Sequence, residues 1–223
     1  MQCLEAKMTE TFADELRKAT WGDHEGAEHT AYLEALMNGK VSRAGYAEMV
    51  AQHYFAYVAL EEAGQALVGD PVAAPFVRAE LERVPALERD LETLYGPAWR
   101  EEIKPSKSTL TYVARINQVA DWPGGFIAHH YTRYLGDLSG GQVIRKVAER
   151  TYQFEDEGGI SFYLFPALPD LKAFKVGYRD QLNALDLDDV QRKRIIRETL
   201  LAYQLNTEVL VEIGKRLPEY LVA

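Results

Sequence analysis

The chain has 223 residues, 47% of them hydrophobic and 26% charged, which argues against a disordered or membrane protein and supplies enough apolar material for one core. Its formal net charge is −9. That sign excludes a general nucleic-acid binder, so any anionic ligand has to be met by a local basic cluster.

In chain order, residues 1–8 read as a disordered leader without the apolar stretch of a secretory signal. They contain the single cysteine, Cys3, so no intramolecular disulfide forms, which fits a reducing compartment. Phe12, Leu16, Thr20 and His24 then recur every four residues on one helical face. A short helix over Thr30–Met37 stops at Gly39. Ser42 is placed to cap a helix through Tyr46, Met49, Val50, Tyr54, Tyr57, Val58 and Leu60. Pro71 and Pro75 punctuate the next connection. Leu87, Leu91 and Leu94 mark another amphipathic helix, ended by Gly96-Pro97. Ser106 or Ser108 opens a helix carrying Leu110, Val113 and Ile116. After Trp122-Pro123-Gly124-Gly125, one long helix is expected from about Phe126 to Arg150. A polar loop at Asp156–Gly159 separates it from two closing helices, Lys172–Leu185 and Asp188–Leu217. Residues 218–223 read as a short polar tail. No apolar run approaches the ~20 residues needed to span a bilayer, and the cytoplasm is the expected location. No segment combines period-two alternation with hairpin turns. The prediction is one all-α domain over residues 9–217, without linker or repeat.

The most informative stretch is Arg133-Tyr134-Leu135-Gly136-Asp137-Leu138-Ser139-Gly140-Gly141-Gln142. Three glycines in six positions cost a helix about 3 kcal/mol against alanine. One reading is a kink or close helix packing. The other is a flat ligand lying against bare backbone at Gly136 and Gly140, which share a face. The spacing matches neither dinucleotide nor phosphate-loop signatures. Asp137 is either a solvated carboxylate or one that orders water beside a ligand.

None of the five histidines makes a His-x-x-x-His zinc pair. His24 continues an apolar face, where a hydrogen-bonded core histidine is the ordinary outcome. Glu28, one turn on, can orient its ring and make it a better metal ligand. One oriented histidine suits five-coordinate haem. His53, His129 and His130 read as structural.

Leu16-Arg17-Lys18-Ala19-Thr20 with His24 and Ala27-Glu28 resembles the proximal helix of haem oxygenases. Ala128-His129-His130-Tyr131-Thr132 running through Gln142 resembles their distal-helix signature. Tyr57 to Glu62, Lys175, Tyr178-Arg179 and Asn206 also match, so the resemblance covers nearly the whole chain from Met8. It resembles the soluble bacterial members, which lack a membrane tail. The resemblance implies an all-α fold with haem b sandwiched between a proximal and a kinked distal helix. It implies His24 as proximal iron ligand and Gly136, Gly140 and Gly141 over the distal face. Asp137, Tyr57, Arg133 and Asn206 would hold distal water. Arg17, Tyr131, Lys175 and Arg179 would meet the propionates. Lys175 and Arg179 are also i, i+4 on one face, a local cation pair that suits two carboxylates. Gly22 and Gly26 beside His24, the large Trp21 near the entrance, and Tyr203 where phenylalanine is common depart from the pattern.

The implied reaction opens haem, at once substrate and cofactor, with dioxygen and external electrons to biliverdin, carbon monoxide and ferrous iron. The implied partners are an electron-donor protein (a ferredoxin or an NAD(P)H-dependent reductase) and a downstream biliverdin reductase. A non-catalytic haem carrier or sensor would need His24 but not Asp137. A thiamin-degrading enzyme of related fold is a further alternative. A di-iron oxidase needs paired Glu-x-x-His motifs, and no convincing set is present.

Overall fold

The computed structural model describes residues 10–222; the side chains of residues 23–25, 27 and 28 lie outside the described residues. The predicted leader over residues 1–8 lies outside them too. Eleven α-helical segments are described: α1 (Phe12–Glu28), α2 (Ala31–Met37), α3 (Arg43–Ala66), α4 (Val84–Tyr95), α5 (Trp99–Glu102), α6 (Lys107–Gln118), α7 (Pro123–His130), α8 (Gly140–Tyr152), α9 (Leu171–Asn183), α10 (Asp189–Gly214) and α11 (Leu217–Tyr220). Among the described residues there is no strand, only an isolated bridge between Val41 and Leu221.

Local chemistry sets most of the boundaries. Thr30, Ser42, Ser106 and Asp170 accept hydrogen bonds from the first-turn amides of α2, α3, α6 and α9. Asp188 and Gln191 form a reciprocal capping box at the start of α10. Gly39 and Gly96 leave α2 and α4 with φ of 68° and 86°, a conformation in which a side chain is strained. The long helices then bury one face each. α10 packs against α1, α6 and α7, and α3 against α4, α6 and α7. Phe12, Leu16, Tyr57, Leu60, Leu91, Ile127, Ile195 and Ile213 share one continuous core.

Three expectations are corrected. The helix expected from Phe126 to Arg150 is not continuous. α7 passes into a π-helical turn over Tyr131–Leu135, and the chain leaves helical geometry at Ser139 (φ −125°, ψ −89°) before α8 begins. The buried face of α6 is Thr109, Tyr112 and Ile116, whereas Leu110 is exposed. That helix therefore turns its two polar-capable residues inward, where α3 and α10 cover them. Finally, residues 217–222 are no loose tail. Tyr220 is buried, its carbonyl accepts from Ser42 N, and Val222 N donates to Lys40 O. Gly45 lets this segment approach, since a Cβ there would lie 2.7 Å from Tyr220 Cβ.

One buried carboxylate ties the loop before α9 to the helices. Asp90 on α4 is fully buried and accepts from the amides of Gly159, Ser161 and Phe162 at 3.0, 2.8 and 2.8 Å. Burial raises its pKa to about 6 despite those donors. Phe162 in turn packs on Tyr57, so this clamp shapes the wall behind the cavity described next. Asp90→Ala strands three buried amides and should cost about 3 kcal/mol or more. Asp90→Asn, which keeps an acceptor, should cost clearly less. Denaturant unfolding of the two variants checks both the size and the order.

Candidate active-site cavity

Between α2, α3, α10 and the interrupted helix lies a cavity of about 400 Å³, within the range of small-molecule sites. α3 contributes Met49 and His53; Tyr57 continues that face one turn further on. α10 contributes Tyr203, Asn206 and Leu210, also on one face. The π turn and the residues after it contribute Thr132, Arg133, Gly136, Asp137, Gly140 and Gly141. A larger open cleft between α4 and the loop around Asp156 and Pro166 is lined by charged side chains of both signs, among them Arg83, Arg89, Glu92 and Glu157, and by a single glycine, Gly158, so it offers no bare-backbone wall.

The polar side of the cavity is a closed cluster. Tyr57 donates its phenolic proton to Asp137 Oδ2, and Arg133 Nη1 donates to Asn206 Oδ1. The Arg133 guanidinium lies 4.9 Å from the Tyr57 ring centroid. Tyr57, Arg133 and Asp137 are all buried. Burial raises the Asp137 pKa to about 6, with Arg133 and the Tyr57 hydroxyl pulling against it. Burial also works against the Arg133 charge, but Tyr57 and Asp137 hold its pKa above the ordinary arginine value. The carboxyl therefore sits near neutrality as a proton donor and acceptor beside a fixed cation.

The glycine wall is open. A Cβ added at Gly136 or Gly140 would meet nothing within 4 Å, whereas one at Gly141 would meet the Tyr163 ring at 3.3 Å. Two of the three glycines thus present bare backbone to free space. A third cluster lies at the junction of α1, α9 and the π turn. Tyr131 is buried beside Thr20; burial raises its pKa while the charges of Arg179 and Arg17 act to lower it. Lys175 Nζ donates to Leu138 O at 3.0 Å and Ser139 Oγ at 3.1 Å, directly at the helix break. Arg179 Nη1 donates to Lys175 O, and Arg17 lies over Trp21.

An apolar slot with a bare-backbone wall, a buried proton-exchanging cluster and nearby cations fits a flat, mostly apolar molecule with an acidic edge. Haem meets that description. The unpaired buried Nε and Nη2 of Arg133 face the need for a polar partner from the same side.

The structure brings Tyr57, Arg133, Asp137, Asn206, Gly136, Gly140 and Gly141 together as the sequence suggested. It gathers Arg17, Tyr131, Lys175 and Arg179 in a neighbouring group. The side chains of His24 and Glu28 lie outside the described residues. The backbone of α1 is helical through both, so position 24 keeps the register of the buried Leu16 and Thr20. His129 and His130 are structural, paired with Glu198 at 3.0 Å and with the Tyr178 hydroxyl at 2.8 Å. His53, read as structural, instead lines the cavity. Its i, i+4 spacing to Tyr57 was the signal available. Among the described residues no group of three or more metal-ligating side chains is assembled, and no helix is long and apolar enough to cross a membrane.

The family model described as "Heme oxygenase" matches residues 10–212. A heme oxygenase of Porphyra purpurea is 37% identical over 208 residues, covering 93% of this chain and 88% of the relative. Heme oxygenase 1 of Synechocystis is 38% identical over 207 residues, covering 92% and 86%. The crystal structure of heme oxygenase-1 from Synechocystis sp. PCC6803 in complex with heme superposes with a TM-score of 0.89, at 37% identity over 94% of this chain and 95% of that one.

The elevated Asp137 pKa carries a stability consequence. A carboxyl whose folded pKa exceeds its unfolded one contributes most below about pH 4 and loses that contribution as pH rises through about 6. Asp137→Asn, which mimics the protonated form, should therefore melt close to wild type at pH 4. It should be more stable than wild type at pH 7.5, by on the order of 3 kcal/mol. Melting curves of the ligand-free proteins across this range check the sign; an advantage that grows toward acid would contradict it.

Proposed function

The chain belongs to the haem oxygenase family, and we propose from that premise that this cavity binds haem and opens it to biliverdin, carbon monoxide and ferrous iron. Haem is the substrate, and its iron supplies the activation of dioxygen. The observation that carries the reading is the buried Tyr57–Asp137 and Arg133–Asn206 cluster beside an open glycine wall. A carrier needs the slot; it has no use for a buried carboxyl poised near pH 6.

His24 would hold the haem iron, and Glu28, one turn on, would orient its ring. On the distal side the backbone at Gly136, Gly140 and Gly141 takes the place of side chains. Backbone without side chains at Gly136 and Gly140 would let a flat substrate lie close against this wall and would fix its orientation. Asp137 binds no metal. Its carboxylate holds a water and passes a proton through it, and Tyr57 fixes the carboxylate's orientation. Arg133 keeps the Asp137 carboxyl exchangeable near neutrality by opposing its burial. Asn206 fixes the guanidinium. A carboxylate–water relay supplies protons without placing a strong acid at the reacting oxygen. Arg17, Tyr131, Lys175 and Arg179 meet the propionates. Lys175 then exchanges its contacts at Leu138 and Ser139 for a carboxylate, a charge-assisted bond of greater strength. Electrons come from an external protein, a ferredoxin or an NAD(P)H-dependent reductase, and the product suits a biliverdin reductase.

Three variants test these roles. Asp137→Ala should bind haem within a few-fold of wild type yet yield at least tenfold less biliverdin with a reductant; normal yield would remove the relay, and lost haem binding would make Asp137 structural. His24→Ala should lose turnover and regain part of it with added imidazole. Undiminished turnover without imidazole would reject the proximal assignment. Removing both charges at Lys175 and Arg179 should weaken haem binding about tenfold or more and broaden the biliverdin isomer mixture, read by titration and chromatography.

A further inference from the structure

The proposed reaction employs Asp137, Tyr57, Arg133 and Asn206 and gives no task to His53, a titratable side chain that lines the same cavity. It stands one turn before Tyr57 on α3, so the two side chains are neighbours. Both rings pack on Phe162, with centroids 5.5 and 5.2 Å away. The Arg133 guanidinium lies over the Tyr57 ring. His53 and Arg133 therefore border the same corner of the cavity from two elements.

Each has an unmet hydrogen-bonding capacity. Arg133 uses Nη1 on Asn206; its guanidinium also interacts with the nearby Tyr57 hydroxyl, but the buried Nε and Nη2 make no well-formed hydrogen bond. Buried donors of a charged group are rarely left in that condition. His53 is influenced by its burial and by the Arg133 charge, and both hold it well below the ordinary histidine pKa. A neutral imidazole keeps one nitrogen as an acceptor. No hydrogen bond from a described residue reaches either ring nitrogen. Two donors of the cationic guanidinium and one neutral acceptor on the wall of the same cavity can be joined by a bridging water.

We infer that His53 is a positioning residue, its imidazole accepting through one cavity water the hydrogen bond that Arg133 Nε or Nη2 has to give. The bridge fixes the plane of the guanidinium. That plane sets the Asn206 contact and the direction of the charge acting on Asp137. Asp137 and Arg133 are the charged groups lining the cavity with His53. The bridge is a property of the ligand-free protein; only its effect on turnover rests on the haem-oxygenase reading.

Nitrogen NMR of the ligand-free protein tests it. In wild type, the His53 ring should be neutral at pH 7 with one nitrogen shifted as a hydrogen-bond acceptor. It should show a contact to slowly exchanging water, and Arg133 guanidinium protons should exchange slowly with solvent. His53→Leu should speed that exchange about tenfold, and His53→Gln, which keeps an acceptor, should leave it slow. In the haem-loaded enzyme, His53→Leu should bind haem normally but form several-fold less biliverdin per electron consumed, and His53→Gln should restore the yield. Unchanged Arg133 exchange in His53→Leu, or a wild-type ring without a water contact, would overturn the inference. If His53→Leu does not fold, the wild-type ring signals and the glutamine variant decide it. A wild-type protein that shows the bridge but makes no biliverdin would instead count against the proposed reaction.

Discussion

A helix that shows bare backbone to a cavity cannot hold itself together. Between Tyr131 and Gly141 the chain gives up about 3 kcal/mol of helix propensity to three glycines, widens into a π turn and leaves helical geometry at Ser139. What keeps it in place comes from elsewhere in the molecule. Thr132 bonds back to Ala128 O. Tyr57 holds Asp137 from α3, and Asn206 holds Arg133 from α10. Gln142 Nε2 spans from Asp137 O to Tyr163 O, and Lys175 reaches from α9 to Leu138 O and Ser139 Oγ. The same bonds that brace the broken segment aim its polar groups. Structure and site are here one network.

The two buried carboxylates nearest this network show how partners decide charge. Glu198 is met by His129 and by both Nε and Nη2 of Arg115. Burial acts to raise its pKa, but those partners hold it down to about 2. Asp137 has Tyr57 and a guanidinium already engaged by Asn206, and burial wins, giving about 6. One carboxylate is locked as an ion for structure, while the other is left free to exchange a proton in the physiological range. Two causes separate them: Glu198 touches Arg115 and His129 directly, and it is desolvated less deeply than Asp137, which has no direct ion pair among the described residues.

Much of this was legible in the sequence because it is local. The cap at Ser42, the stops at Gly39 and Gly96, and the i+4 face of α1 need only neighbouring residues. The glycine cluster stood out because it contradicts the helix around it. What escaped depends on distant partners. The break at Ser139 looks helical in apolar spacing, and the hydrogen bonds that hold it come from α9, 36 residues away. Asp90 gives no signal in the sequence, because the loop at Gly159–Phe162 that closes over it lies about 70 residues away. His53 reads as a core histidine because nothing local distinguishes a ring facing a cavity from one facing side chains. Leu110 is exposed and Thr109 buried because α3 and α10 decide which face of α6 is covered.

The central claim is that Gly136 and Gly140 serve the ligand and not the fold, and substituting both with alanine separates the two. Neither added Cβ meets a neighbour in this structure. Gly136 has ordinary helical torsions and Gly140 opens α8. The ligand-free double variant should therefore melt at or above the wild-type temperature, since each replacement adds up to ~1 kcal/mol of helix propensity. The same protein should bind haem, or turn it over to biliverdin, at least tenfold less well. A variant that loses stability without ligand, or one that binds and opens haem as the wild type does, would contradict the account.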